Sequence, residues 1–108
     1  MMNIKEYVMN DAVDGEVDLA TGIRISNITV EVVEMVDGQE YCIDHVKVPF
    51  RINQFENKTE QEIKSLIANR VFTIFYYSGT VPDNARLYLC IDDKRYLLAG
   101  EYMPELYY

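Results

Sequence analysis

The sequence predicts a single small α+β domain spanning residues 1–108, with antiparallel hairpins at about 23–50 and 86–99 packed against one main helix at about 59–77. Three observations carry that prediction. Apolar residues alternate with period two on both sides of a turn in each hairpin region. A helix-capping tetrad stands between the two regions, followed by an apolar stripe at helical spacing. The length of 108 residues suits one domain, and 49% apolar with 26% charged residues is a globular composition, far from a disordered one.

The first segment is ambiguous. Ile4, Tyr7 and Val8 follow helical spacing, and an extended strand is equally allowed over so short a stretch. Val13-Asp14-Gly15-Glu16 reads as a turn, because Asp-Gly readily takes the positive φ values of a tight hairpin. Val36-Asp37-Gly38-Gln39 repeats that chemistry without any wider repeat around it.

The strongest β signal runs from Ile23 to Phe50. Ile28, Val30 and Val32 share one parity, and at Val32-Val33 the alternation slips, as at a β-bulge or in a strand buried on both faces. After Asp37-Gly38, Cys42, Val46, Val48 and Phe50 share one parity, and Tyr41, Ile43, His45 and Lys47 the other. Pro49 cannot donate to a ladder, which places this strand at an edge or ends it there.

Thr59-Glu60-Gln61-Glu62 then matches a capping box, with two acids suited to the positive end of the helix dipole. Ile63, Leu66, Ile67, Val71, Ile74 and Phe75 supply the apolar stripe, opposed by Gln61, Ser65, Asn69 and Thr73. Val71–Tyr77 would also suit a strand by its β-branched and aromatic content, but only Asn69 offers a turn before it, so the long helix is preferred. Ser78-Gly79 offers a stop and Pro82-Asp83-Asn84 a loop. Leu87, Leu89 and Ile91 alternate with Tyr88 and Cys90 before a turn at Asp92-Asp93-Lys94. The tail, with Tyr102, Met103, Leu106, Tyr107 and Tyr108, is too apolar for an idle terminus and is expected to pack on the domain or on a partner.

No run approaches the roughly 18 apolar residues of a membrane span, and the first residues lack the basic and apolar regions of a signal peptide. The expected setting is cytoplasmic, without membrane contact. Cys42 and Cys90 lack C-x-x-C spacing and each follows an apolar pattern, so both read as buried free thiols. The net charge of −8 is uneven: residues 1–57 hold eleven acids and four bases, residues 58–108 seven and six. Such a field repels phosphate backbones, which argues against direct nucleic-acid binding, and attracts basic protein surfaces.

Chemistry-bearing motifs are scarce. The only histidine, His45, stands beside Asp44, with Glu31 within reach across a hairpin, a ligand set short of the three or four a zinc site uses. No metal or other cofactor is therefore expected. Aligning Gly15 with the invariant glycine of a calcium loop puts Ala12 and Thr21 at ligand positions, so that reading fails. Ser26, Ser65 and Ser78 lack a nucleophile-elbow context, and no phosphate-binding glycine loop occurs. Asp92-Asp93 are neighbours in a turn and stay solvated, unlike a catalytic pair. The two glycosylation sequons, at Asn27 and Asn57, carry meaning only on export.

Nine tyrosines with no tryptophan are the unusual count, suiting surfaces that must be wet when free and apolar when bound. Both members of Tyr76-Tyr77 and of Tyr107-Tyr108 cannot face the core, so some are expected at the surface. The expected function is a non-catalytic binding protein or inhibitor docking a basic surface of a partner. Small acidic inhibitors of nucleic-acid-handling and bacterial defence proteins, of the anti-CRISPR and anti-restriction type, use this logic. Its candidate binding residues are Asp11, Asp14, Glu16, Asp18, Glu31, Glu34 and Glu40, with Tyr107 and Tyr108 as aromatic anchors. The alternatives are a phage or accessory assembly module forming homo-oligomers, and a small enzyme or ligand binder without a recognisable motif.

Overall fold

A computed structural model describes residues 3–78 and 85–99. It contains one antiparallel five-stranded sheet with its helices on a single face, the α+β arrangement the sequence predicts. The loop at 79–84 and the apolar tail, Tyr107 and Tyr108 included, lie outside the described residues, as do the side chains of Tyr76 and Tyr77.

The chain opens with a short helix α1 (Ile4–Glu6), which runs on as a π-helical turn at Tyr7–Asp11. Asn3 starts it by accepting the Lys5 amide on Oδ1 at 2.8 Å, and the Ala12 amide closes the wide turn on the Tyr7 carbonyl at 2.9 Å. Ile4 and Val8 are thereby buried. Helical spacing was the right guide to this segment.

Strand β1 (Val13–Val17) replaces the turn expected at Val13–Glu16. Gly15 does take a positive φ of 90°, but inside the strand: Val13 pairs with Ser26 and Val17 with Arg24, so β1 spends four steps where its partner spends two. The flexibility of Asp-Gly is used for a wide bulge, and the reversal falls later. Asp18 accepts the Gly22 amide at 2.8 Å and donates its own amide to Ile23 at 2.9 Å.

Strands β2 (Arg24–Val36) and β3 (Gln39–Arg51) form the long hairpin, with Asp37 and Gly38 both at positive φ. β2 is the spine of the sheet. β3 pairs with one of its edges from Ile25 to Val36, and the opposite edge is shared between β1 at Arg24–Ser26 and β4 (Ala85–Ile91) at Val30–Glu34. β5 (Lys94–Ala99) adds to β4. Pro49 sits on β3, whose other edge pairs with no strand among the described residues, a place that suits a residue with no amide hydrogen.

The slip at Val32-Val33 is a bulge whose extra residue lies across the ladder. Val32 pairs with Asp44 and Val33 with Cys42, leaving Ile43 unmatched on β3. From that point β3 presents the opposite parity.

One sheet face, here the inner face, carries Ile28, Val30, Val32, Val48, Phe50, Leu87, Leu89 and Ile91. Helix α2 (Glu60–Ser78) covers it with Ile63, Ile67, Ala68, Val71 and Phe72. The capping box forms as expected, the Glu62 amide donating to Thr59 Oγ1 at 3.2 Å and the Thr59 amide to Glu62 Oε1 at 2.9 Å. The stripe differs from the expected one: Ile74 is 45% exposed and Phe72 fully buried. The contact follows the rows Ile63-Ile67-Val71-Phe75 and Ala68-Phe72. Such i+4 rows slant around a helix by about 26°, so a helix on a twisted sheet turns its late Ile74 outward. Phe55, just past β3, closes one end of the core against Phe50, with ring centroids 5.3 Å apart. No helix among the described residues is long and apolar enough to cross a membrane.

Among the described residues Ser26 is the one buried polar side chain, and its hydroxyl has no partner there. It lies opposite both Val13 and Phe50, where little more than a small side chain fits. Ser26→Ala should therefore leave the urea midpoint unchanged or raise stability by up to about 1 kcal/mol, since an unmet donor is removed with little volume. Phe72→Ala, which empties the helix–sheet contact, should cost about 3–5 kcal/mol in the same titration.

Candidate functional site

The outer face of the sheet has no described element over it and collects most of the charged side chains of interest. Strand parity puts Asn27, Thr29, Glu31, Val33 and Met35 of β2 there. Cross-strand pairing adds Lys47, His45, Cys42 and Glu40 of β3, Arg86, Tyr88 and Cys90 of β4, and Arg95 of β5.

At the centre of that face the charges cancel. Arg95 donates from Nε to Glu31 Oε1 at 2.6 Å and from Nη1 to Glu40 Oε1 at 3.3 Å, and its guanidinium lies 3.8 Å over the Tyr88 ring. Tyr88 also donates its hydroxyl to Glu40, and Arg86 Nη1 stands 3.8 Å from Glu40 Oε2. Two acids and two arginines from four strands thus form one neutral network. Val33 lies beneath it, outside the main core cluster yet 1% exposed, flanked across the ladder by Arg86 and Cys42. The Tyr88 hydroxyl, followed by Arg95, holds the Glu40 carboxyl below its ordinary value. Burial works against the Arg95 charge, but the hydrogen bond to Glu40 and the Glu31 charge outweigh it and raise its pKa.

Beside the network, Glu31 Oε2 lies 3.6 Å from His45 Nε2, and His45 Nδ1 lies 3.6 Å from Cys42 Sγ. The parity read from sequence separated Cys42 from His45. The extra residue Ile43 brings them to the same face. Neither cysteine has the expected deep burial: Cys42 is exposed, Cys90 half-buried, and both are free. Local desolvation and the nearby Glu31 raise the Cys42 thiol pKa, and burial followed by Glu31 raises that of Cys90.

A different pattern holds at the β1 end of the face. The wide bulge at Gly15 turns Asp14 and Glu16 onto one side chain: Asn27 Nδ2 donates to Asp14 Oδ2 at 3.2 Å and to Glu16 Oε2 at 2.6 Å. Both acids are exposed, and neither makes an ion pair among the described residues. Asp11, also exposed, ends the preceding turn. Asp18 is committed to local structure, accepting the Ala20 amide at 2.9 Å with Arg51 4.0 Å away. Glu34 pairs with Ala85 and Tyr41, which puts it on the inner-face side at the rim. Of the seven acids singled out from sequence, the structure groups Asp14 with Glu16, neutralises Glu31 and Glu40, and turns Glu34 away. Arg95, Tyr88 and Asn27 are not legible as organising residues in the sequence, because each acts through cross-strand neighbours.

A depression of about 330 Å³ runs along the exposed start of α2 and is lined by Lys58, Gln61, Glu62, Ser65, Leu66 and Asn69. Glu62 is engaged by the cap, and the only histidine stands on the far face of the sheet from Ser65. A serine–histidine pair is therefore geometrically impossible here.

Because the folded-state pKa of Glu40 lies below its ordinary value of 4.5, its ionised form contributes stability that is fully present above 4.5 and lost as pH falls from there through the lowered folded-state value. The urea midpoint should decline between about pH 6 and about pH 3, and Glu40→Gln should flatten part of that decline. Equal slopes in both proteins would remove the network from the acid response. No protein-family model, curated protein or solved structure matches this chain.

Proposed function

We propose that this chain is a non-catalytic binding domain that docks onto a basic protein surface through the acidic corner formed by Asp14 and Glu16. The observation that carries the reading is the convergence of two exposed carboxylates on the Asn27 amide, with no ion pair to either among the described residues. Holding like charges together is unfavourable within the free protein and becomes favourable when a basic partner approaches. Uncompensated rim charges of this kind act on encounter rate and specificity more than on final affinity. A basic nucleic-acid-handling or defence protein fits the charge, and the acidic chain would compete with phosphate for such a surface.

A second reading, assembly with further copies, has one observation in its favour. The edge of β3 that pairs with no described strand is exposed from Gln39 to His45 and displays Tyr41 and Ile43 at 51% and 44% exposure. The same strand carries a bulge at Ile43 and a proline at 49, features that guard edges against pairing. The acidic corner is therefore preferred.

Asp14→Lys with Glu16→Lys tests the choice, leaving Asp18 in place because the turn depends on it. At about 50 mM salt the unaltered chain should capture a basic partner from lysate of its native host, with capture lost at about 500 mM, where screening is strong. The double reversal should abolish that capture while light scattering shows both proteins monomeric. Unchanged capture after reversal would take the corner out of the interface. A concentration-dependent dimer that Ile43→Lys dissolves would favour assembly instead.

A further inference from the structure

The geometry points to a metal site on the outer face, in which Glu31, Cys42 and His45 bind a borderline divalent ion of the zinc class, with water completing its coordination. One donor atom from each residue lies within 4.8 Å of the other two. A tetrahedral ion with bonds of roughly 2.0–2.3 Å spaces its donors about 3.3–3.8 Å apart; Glu31 Oε2 lies 3.6 Å from His45 Nε2 and Cys42 Sγ 3.6 Å from Nδ1, so a turn of the ring is what presents one nitrogen to both. Carboxylate, thiolate and imidazole together select zinc-like ions over magnesium or calcium, which take oxygen donors alone.

Two features show that the fold builds this arrangement. Residues 42 and 45 of a regular strand face opposite sides, and only the unmatched Ile43 brings Cys42 round to His45. Glu31 is directly opposite His45 in the ladder, and Arg95 holds its Oε1 at 2.6 Å, so Oε2 faces the imidazole. That is the outer-shell bracing metal-binding carboxylates use. The His45 side chain is 57% exposed, which gives an ion a direct entry path and leaves the ring room to turn one nitrogen towards both partners. On binding, the Cys42 Sγ–H bond breaks, sulfur keeps the electron pair and donates it to the ion, and the proton leaves to solvent. No redox change is involved. The thiolate supplies the new negative charge at the ion, and Glu31 shares its own between the ion and Arg95. The site is separate from the Asp14–Glu16 corner and stands or falls independently of it.

Cobalt(II) is the direct probe, titrated into the full, reduced chain and followed by absorption. The expected result is one equivalent bound, with thiolate-to-cobalt charge transfer in the near ultraviolet and visible bands of a four-coordinate ion, both removed by added Zn2+. Cys42→Ser should abolish the charge-transfer band and His45→Asn should weaken binding about 100-fold or more, since outer-shell changes alone cost about 10–100-fold. Cys90→Ser should leave both unchanged. Both ligands are exposed, so these variants keep the fold, which far-ultraviolet circular dichroism verifies. Absence of a charge-transfer band from the unaltered chain, its survival in Cys42→Ser, or its loss in Cys90→Ser would each overturn the assignment.

Discussion

Strand β2 is the constraint on which the rest of this molecule depends. Both of its edges are consumed, one by β3 along the whole hairpin and the other by β1 and β4 in succession. A strand so placed must satisfy three partners with one row of backbone groups. Its inner side chains Ile28, Val30 and Val32 set the plane against which α2 packs. Its outer side chains Asn27 and Glu31 organise the two polar regions described above. Buried backbone groups cannot be left unpaired, so the register of every other strand is tied to this one.

The bulges are what give this sheet its chemistry. At Gly15 the ladder gains length on β1, and two acids that would spread along a strand converge on one amide. At Ile43 the ladder gains a residue on β3, and a thiol crosses from the inner to the outer face. Each bulge interrupts regular pairing near the sheet margin, where the cost is small. A third register shift falls between β4 and β5 at Leu87/Tyr88, and the β2–β4 ladder stays regular.

Charge follows the same division. The excess of acid in the first half of the chain suggests a continuous acidic face. Folding divides it, because β4 and β5 bring Arg86 and Arg95 from the more balanced second half against Glu31 and Glu40. Asp14 and Glu16 stay outside that network, with no ion pair among the described residues. Exposed ion pairs contribute little each, and the Arg95 network gains mainly from sharing one guanidinium between two carboxylates and an aromatic ring.

Local signals were readable from sequence wherever the cause was local. The Thr59–Glu62 cap, the Asp37-Gly38 turn, the length of α2 and the slip at Val32-Val33 all depend on residues a few positions apart. Tertiary contact decided the rest. Asp14-Gly15 has the same chemistry as Asp37-Gly38, but pairing with Arg24–Ser26 makes it a bulge and not a reversal. The twist of the sheet selected Phe72 over Ile74 for the core. Whether an acid is free or paired, and whether Cys42 and His45 share a face, depend on residues up to 64 positions away in the case of Glu31 and Arg95. Such neighbours are chosen by strand order, which side-chain periodicity along one strand does not encode.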